Sequence, residues 1–573
     1  MLMQPPPITC IEKHIPILSS LRTYQKTFIR ADLIAGLTTA AIVIPQSMAY
    51  ATIAGLPIEV GLYASLVPMV VYALLGTSRV LSVSVTSSIS LLTASILASA
   101  VPSADVSEML VAAGTLAILV GLLLILAGIL KLGFLANFIS APVLTGFKAG
   151  LGVVIFAGQI GKALGYSVPK GGFLQTIVKT IQGLDQANWP SILITLIVLA
   201  ILIFLPRLKV RFPAVLAAIA ASILAAAVLN RMGAHVKLVE GITPGLPSLQ
   251  MPNLSLIEAL LPGALGIALM SFSESIAASH AFAQQSDPPI NANRELLALG
   301  SANVIGGFFQ AYPVGGGTSQ TAFNREMGAK TQVAALVTAL TVALTLLFLA
   351  PLVNLIPNPA LGAMLLVTAV KMINPGEFAA IKRYRNTELI WAVVAFVGVV
   401  LLGTLRGILV AVGLSVLMLL YTANHPKSYA LGRKRGTNFF RSLEEHPDDE
   451  TYPGLLIMRT EGWMTFASLP NARDKLFQLL RETEPRVVIL ECSAIIDIEY
   501  TALLLLLQAE RKLSSTGITL WLVGLNPELD VRIRTSPLGK NLGDERIFLN
   551  LDHAVGTYMK VNPLKIEDKE KED

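Results

Sequence analysis

Apolar runs of about twenty residues, separated by short polar turns, recur from Arg30 to Tyr421, and each is long enough to cross a bilayer as a helix. The first half reads as spans near 31–55, 58–76, 107–131, 140–164, 190–206 and 212–229. The second reads as spans near 260–283, 293–310, 331–352, 358–374, 387–405 and 406–424. Two stretches break the pattern. In 76–92, GTSRVLSVSVTSSISLL, apolar and polar residues alternate through Leu81 to Thr86 as in a short strand, and hydroxyl side chains crowd Ser82 to Ser90. In 311–328, AYPVGGGTSQTAFNREMG, Gly315 to Gly317 forbid a continuous helix, while Thr318, Ser319, Gln320 and Thr321 can cap and line a new helix start. Irregular backbone at bilayer depth survives only when buried in protein or lining a watery cavity. Each stretch therefore predicts a short strand leading into a half-helix, its positive N-terminal end at the membrane middle and suited to hold an anion. A glycine-rich loop outside the membrane is the competing reading of 311–328, and the matching interruption in the first half weighs against it. With the broken segments counted there are about fourteen spans in two sets of seven, the break third in each set. An odd number per set requires inverted topologies, and paired interruptions are the mark of a transporter site at the bilayer midplane.

Composition narrows the class. The chain has 573 residues, 54% hydrophobic and only 14% charged, and a soluble chain of this length carries nearly twice that charged share. The net charge of +6 is modest and its cations cluster between apolar runs, which points to topology control and away from nucleic acid. Connections expected in the cytosol carry Lys13, Arg22, Lys26, Arg30, Arg79, Lys131, Arg207, Lys209, Arg211, Arg294, Arg325, Lys330, Lys382, Arg383 and Arg385. The other side carries mainly Lys162, Lys170, Lys179, Arg231 and Lys237, so the bias places both termini inside. Residues 1–30, with Pro5 to Pro7 and scattered charges, show no cleavable signal pattern and read as a cytosolic segment. Cys10 and Cys492 lie far apart in segments expected to be cytosolic, so no disulfide is expected. The six histidines and two cysteines make no metal-ligand spacing, and no phosphate-cradling GxxxxGK[ST] loop is present. No cofactor, metal or ATP is expected.

After Tyr421 the pattern changes. Residues 425–451 read as a polar linker, and 452–560 as a small α/β domain. Its expected strands are 455–460, 486–491 and 518–523, with helices near 469–482, 501–514 and 526–535. The charged tail, 561–573, is expected to be disordered.

Several motifs are similar to those of a known family. PQSMAYA (Pro45 to Ala51), GLYASLVP (Gly61 to Pro68), GTSRVLSV (Gly76 to Val83), SFSESIAASHAFA (Ser271 to Ala283) and GAKTQ (Gly328 to Gln332) resemble the sulfate permease family, and the soluble end resembles its STAS domain. The resemblance implies a polytopic fold of seven plus seven inverted-repeat spans over 31–424. Spans one to four and eight to eleven would form a core carrying the site, and spans five to seven and twelve to fourteen a gate. It further implies an elevator motion, a homodimer, and transport of sulfate, bicarbonate, halides or dicarboxylates. Two places depart from the family's pattern. Gln320 stands where many members have arginine, and Ser84, Val85 and Thr86 stand where many have glycine, proline and an aromatic. Neutral hydrogen-bonding groups thus replace a fixed charge and an apolar wall, which loosens the assignment to sulfate itself.

The residues expected to bind substrate are Gln46, Tyr50, Ser84, Thr86, Ser87, Gly317, Thr318, Ser319 and Gln320. Gln46 is either a substrate hydrogen-bond donor or an interhelical bond. Tyr50, one turn on, either lines the site or packs in the core. Glu274 is the one acidic side chain well inside an unbroken predicted span, where a charge costs roughly 2.5–3.5 kcal/mol unless paired or protonated. It is a candidate carrier of the coupling ion, H+ or Na+, and the alternative is a structural partner for a cation such as Lys148. In IEYTAL (Ile498 to Leu503), Glu499 and Thr501 resemble the phosphorylation turn of soluble STAS proteins, although a helix N-cap accounts for Thr501. The expected function is secondary transport of small inorganic or carboxylate anions across the plasma membrane, a bacterial inner membrane. The alternatives are an anion exchanger and a membrane-anchored STAS signalling protein.

Overall fold

After a short helix at Pro16–Arg22, helix propensity and apolar content carry the first long element, α1 (Lys26–Ala54), straight through Pro45 to Gly55, where a left-handed φ of 76° ends it. The computed structural model describes residues 16–562 apart from 23, 103–104, 135–139, 169–172, 209–212, 240–243 and 286. Cys10, Lys13, Lys170, Lys209, Arg211 and the tail from 563 onward lie outside the described residues. The chain divides into two units, 1–415 and 416–573.

In the first unit α1 is followed by α2 (Ile58–Ala64) and α3 (Val67–Leu75), then a strand and half-helix, β1 (Val83–Ser84) and α4 (Ser87–Ala100). Next come α5 (Val106–Ile129), α6 (Ala141–Leu164), α7 (Trp189–Phe204) and α8 (Ala214–Arg231). The second half repeats this order with α9 (Ile257–Phe282), α10 (Ala292–Phe308), β2 (Gly315–Gly316) and α11 (Thr318–Glu326). It closes with α12 (Val333–Leu344), α13 (Asn358–Met372), α14 (Asn386–Leu402) and α15 (Thr404–Asn424). The predicted second span is two helices, because Pro68 in the first turn of α3 cannot donate into a continuing ladder. Among the described residues nine helical segments are long and apolar enough to cross a bilayer, with α2 and α3 counted together as Ile58–Leu75. The shorter apolar helices, α4, α14 and the stretch Leu409–Asn424 of α15, fall short in length. Two short amphipathic helices, Phe173–Gln182 and Pro375–Tyr384, occupy stretches that the span pattern leaves as connections.

The helices sort into two bundles. α5 packs on α9 and α10, α1 on α12, and α3 on α10, whereas α6 packs on α13 and α14, and α7 on α8 and α13. Close approach between α5 and α10 depends on glycine. A Cβ on Gly121 would lie 2.5 Å from the Gly300 carbonyl oxygen, and one on Gly307 would lie 2.6 Å from that of Gly114. Without a hydrophobic drive between helices in lipid, this backbone-to-backbone packing is what holds them.

The two strands meet in the middle of the first bundle. β1 and β2 pair antiparallel, Val83 opposite Gly316 and Ser84 opposite Gly315. Backbone groups outside this short ladder are met by side chains of neighbouring helices, as burial requires. Gly316 N donates to Ser275 Oγ at 2.7 Å, Ser271 Oγ donates to the Val314 carbonyl at 2.8 Å, and Val314 N donates to Asn303 Oδ1 at 2.9 Å.

In the second unit, β3 (Ser428–Arg433), β4 (Phe440–Ser442), β5 (Leu455–Thr460) and β6 (Gly462–Met464) precede α16 (Leu469–Thr483). β7 (Val487–Glu491), β8 (Ile495–Ile498), α17 (Tyr500–Ser515) and β9 (Thr519–Val523) follow. The unit ends with α18 (Pro527–Thr535), α19 (Pro537–Leu542), β10 (Ile547–Phe548) and α20 (Leu551–Val561). The main sheet runs β10-β9-β7-β5-β3-β4, parallel from β10 to β5 and antiparallel beyond. The expected linker, 425–451, therefore contributes two strands to this sheet. Its edge position leaves it polar and hides it from a search for apolar runs. Thr501 is not the N-cap of α17. That position belongs to Glu499, whose Oε2 accepts from Phe466 N at 3.1 Å, and Thr501 is exposed as the second residue of the helix.

Candidate substrate site

Both half-helices begin at one cavity. The first turns of α4 and α11 open onto a space of about 340 Å³, lined by Thr86, Ser87 and Ser88 from one and Gly317, Thr318, Ser319 and Gln320 from the other. α1 contributes Gln46 and Tyr50, and α9 contributes Glu274. The opposite wall comes from the second bundle, with Thr145 and Lys148 of α6 and Lys371 at the end of α13.

The two helix starts differ in chemistry. α4 is capped by Thr86, whose Oγ1 accepts from Ile89 N at 3.4 Å. α11 starts from Gly317, which has no side chain to cap it, so the amides of Thr318, Ser319 and Gln320 have no acceptor within the helix. Uncapped donors at a positive helix end form a site for an anion.

Glu274 is buried and faces the start of α4. Thr86 Oγ1 donates to its Oε2 at 3.4 Å and Ser88 Oγ to its Oε1 at 3.2 Å, while Lys148 Nζ stands 3.9 Å from Oε1. Glu274 therefore both borders the cavity and faces Lys148. Gln320 is buried, with Ser84 Oγ donating to its Oε1, so this pair ties β1 to α11. Ser84 is the exception among the expected substrate residues. It is fully buried and spends its hydroxyl on Gln320 instead of lining the cavity. Gln46 Oε1 is buried with no partner, which costs free energy until a ligand or water meets it. Tyr50 is buried between Ser87 of α4 and Thr368 of α13.

Glu274 is not alone among buried acids. Glu295, in the first turn of α10, accepts from Tyr72 OH at 2.7 Å, from Thr77 N at 2.7 Å and from Ser78 N at 3.3 Å. Asp32 accepts from Lys330 N at 2.7 Å, Thr331 N at 3.2 Å and Thr331 Oγ1 at 2.6 Å. One clamp holds the loop before β1 and the other the loop after α11. The GTSR and GAKTQ motifs thus fix where the half-helices stand.

The sequence model of the sulfate permease family matches residues 29–395, and that of the STAS domain matches 446–554. The chain belongs to the sulfate permease family. A probable sulfate transporter of Mycobacterium tuberculosis is 34% identical over 549 residues, covering 95% of this chain and 98% of that protein. The chloroplastic sulfate transporter 4.1 of Arabidopsis thaliana is 31% identical, with 98% of this chain and 84% of that one covered. Among solved structures, the murine Slc26a9 anion transporter in its inward-facing state superposes with a TM-score of 0.85 at 21% identity, over 98% of this chain and 96% of that one. The transmembrane domain of the cyanobacterial bicarbonate transporter BicA superposes at 0.61 and 25% identity, over 68% of this chain and 99% of that domain. As a sulfate permease family member the chain is a multi-pass membrane transporter of anions with a STAS domain, and not an enzyme.

Sequence reasoning missed part of this family member's cavity. Lys371, Glu377, Asn374 and Thr145 line it, and Thr145 Oγ1 donates to Glu377 Oε2 at 3.0 Å. Lys371 had a usable signal, since it is a lysine inside the predicted span 358–374. Glu377 and Thr145 had none, because their meeting depends on how α6 and the Pro375–Tyr384 helix pack.

Proposed function

We propose that this protein carries a small oxyanion, of the sulfate, bicarbonate or dicarboxylate class, across the membrane together with a proton. The anion sits between the α4 and α11 N-termini. One observation carries the reading: two helix starts and one buried carboxylate border the same cavity. Each helix end offers an anion about 0.3–1 kcal/mol, up to ~2 when partly buried. Each charge-assisted hydrogen bond adds roughly 1.5–3 kcal/mol.

Charge balance explains the coupling. Two lysines, Lys148 and Lys371, line the cavity against two glutamates, Glu274 and Glu377. With all four ionised the site is neutral, and ionised Glu274 occupies the α4 end that the anion needs. A proton on Glu274 removes the competitor and leaves a net positive cavity. The lysines replace the cation that Gln320 does not supply. Because they belong to the second bundle, the anion's electrostatic environment changes when the first bundle slides past it in an elevator movement. Relatives named as sulfate transporters and a neighbour named as a bicarbonate transporter fit this anion class. In the same reading both termini are cytosolic, the membrane is a bacterial inner membrane, the protein is a homodimer, and the STAS unit regulates or supports assembly.

Uptake into proteoliposomes of purified protein tests the reading. Sulfate, bicarbonate, chloride and succinate are compared with acid outside, with a sodium gradient, and with neither. The expected result is uptake of an oxyanion accelerated by acid outside and indifferent to sodium. Sodium dependence, obligatory one-for-one exchange or absence of flux would each overturn it, and the last would favour a signalling role.

A further inference from the structure

The STAS unit contains a second cavity, of about 400 Å³, between α16, α17 and the sheet. Its floor is Met458 of β5 and Leu490 of β7, both buried, and its walls include Phe477 and Leu505. Protein interiors are packed as densely as organic crystals, and small-molecule sites span roughly 300–1,000 Å³ with mainly apolar linings and few polar groups. This space has that size and lining. The sheet floor comes from the central strands of the unit, where a folded core would otherwise be filled, and α16 and α17 touch one another only sparingly.

The mouth of the cleft is charged. Arg473, Asp474 and Lys512 border it. Arg473 and Asp474 neutralise one another at 3.1 Å. Lys512 has no carboxylate partner among the described ion pairs, and its Nζ lies 4.9 Å from the centroid of the Phe477 ring at the cleft wall. One unbalanced cation above an apolar shaft suits a single negative charge attached to a hydrocarbon body. A nucleotide would need several converging phosphate donors, which the lining lacks. Met458 and Met464, flexible and polarisable, suit a chain of variable shape.

We infer that the cleft between α16 and α17 is a binding site for an amphipathic monoanion, an alkyl chain ending in a carboxylate, that enters tail-first and leaves its head group at Lys512. The site is remote in sequence from the transport cavity and gives the STAS unit a ligand of its own.

Photolabelling of the full chain in lipid nanodiscs tests this. The probe is a palmitate analogue carrying a diazirine near its end, with the corresponding alcohol as a neutral control, and labelled peptides are mapped by mass spectrometry. The expected result is label concentrated in 469–477 and 505–512, competed by unlabelled palmitate, and at least fivefold weaker with the alcohol. Ala509→Trp, which fills the shaft, and Lys512→Gln, an exposed change that leaves the core intact, each lower that label at least fivefold. Label confined to the membrane helices, equal label from the alcohol, or unchanged label in the Lys512→Gln protein would overturn the proposal.

Discussion

Gln320 shows how far a single residue can be read. Its place after Thr318 and Ser319 put it at a helix start, and its departure from the family's arginine marked it as informative. The sequence could not show that its amide oxygen is held by Ser84. Gln320→Ala therefore removes both a cavity group and one tie between β1 and α11, and about 1 kcal/mol, or roughly fivefold in anion affinity, is the expected loss. Gln320→Arg places a fixed cation beside the α11 terminus and is expected to favour divalent over monovalent anions. Equilibrium binding of sulfate and chloride to the two variants checks both, and unchanged values in both would remove this side chain from the site. Gln46, Tyr50, Thr86, Ser87 and the 317–320 run were legible because polar residues at bilayer depth need a reason. Lys148 and Lys371 stood out as lysines inside predicted spans, but that they and Glu377 meet at the cavity depends on the packing of the second bundle, which no local pattern encodes.

At the scale of elements, the two half-helices were legible from the glycine run and the hydroxyl cluster. Their fixation was not. Glu295 and Asp32 look like ordinary first-turn acids of predicted spans, yet each collects backbone and hydroxyl donors from a distant loop. Glu295→Ala strands several buried donors at ~1–3 kcal/mol each. It is expected to lower the thermal unfolding midpoint in detergent and to reduce uptake while leaving the pH dependence of the remaining uptake unchanged. A full-stability Glu295→Ala protein would contradict the clamp. In the STAS unit the parallel strands β5, β7 and β9 were legible as apolar runs, because both faces of such strands are buried. β3 and the edge strand β4 escaped because this antiparallel end of the sheet carries polar residues between its apolar ones.

For the whole molecule, charge bias gave an orientation that labelling can test. Lys237 and Lys382 are both exposed, and are expected outside and inside respectively. Cys492 is buried, and its burial pushes the thiol well above its ordinary range, so it should stay silent toward thiol reagents. With Cys10 replaced, an impermeant maleimide added to intact cells should label a cysteine at 237 and spare one at 382, and the reverse would invalidate the span count. Truncation should respect the observed sheet, so the cut belongs after Pro426, before β3. Removing 427–573 is expected to alter transport rate or assembly while leaving the order of anion preference intact, and a changed order in competition uptake would contradict a regulatory STAS unit.

The central claim is that anion binding and protonation of Glu274 are one event. Linkage makes this measurable without transport, because a ligand that binds only the protonated form loses affinity up to tenfold for each pH unit above that group's titration. Calorimetric titration of the purified protein with its transported anion, repeated across pH, is the direct test. The account predicts proton uptake on binding, an affinity that weakens as pH rises, and a flat profile in a Glu274→Gln protein that still binds. A flat profile in the unaltered protein, or a slope that survives Glu274→Gln, would contradict it.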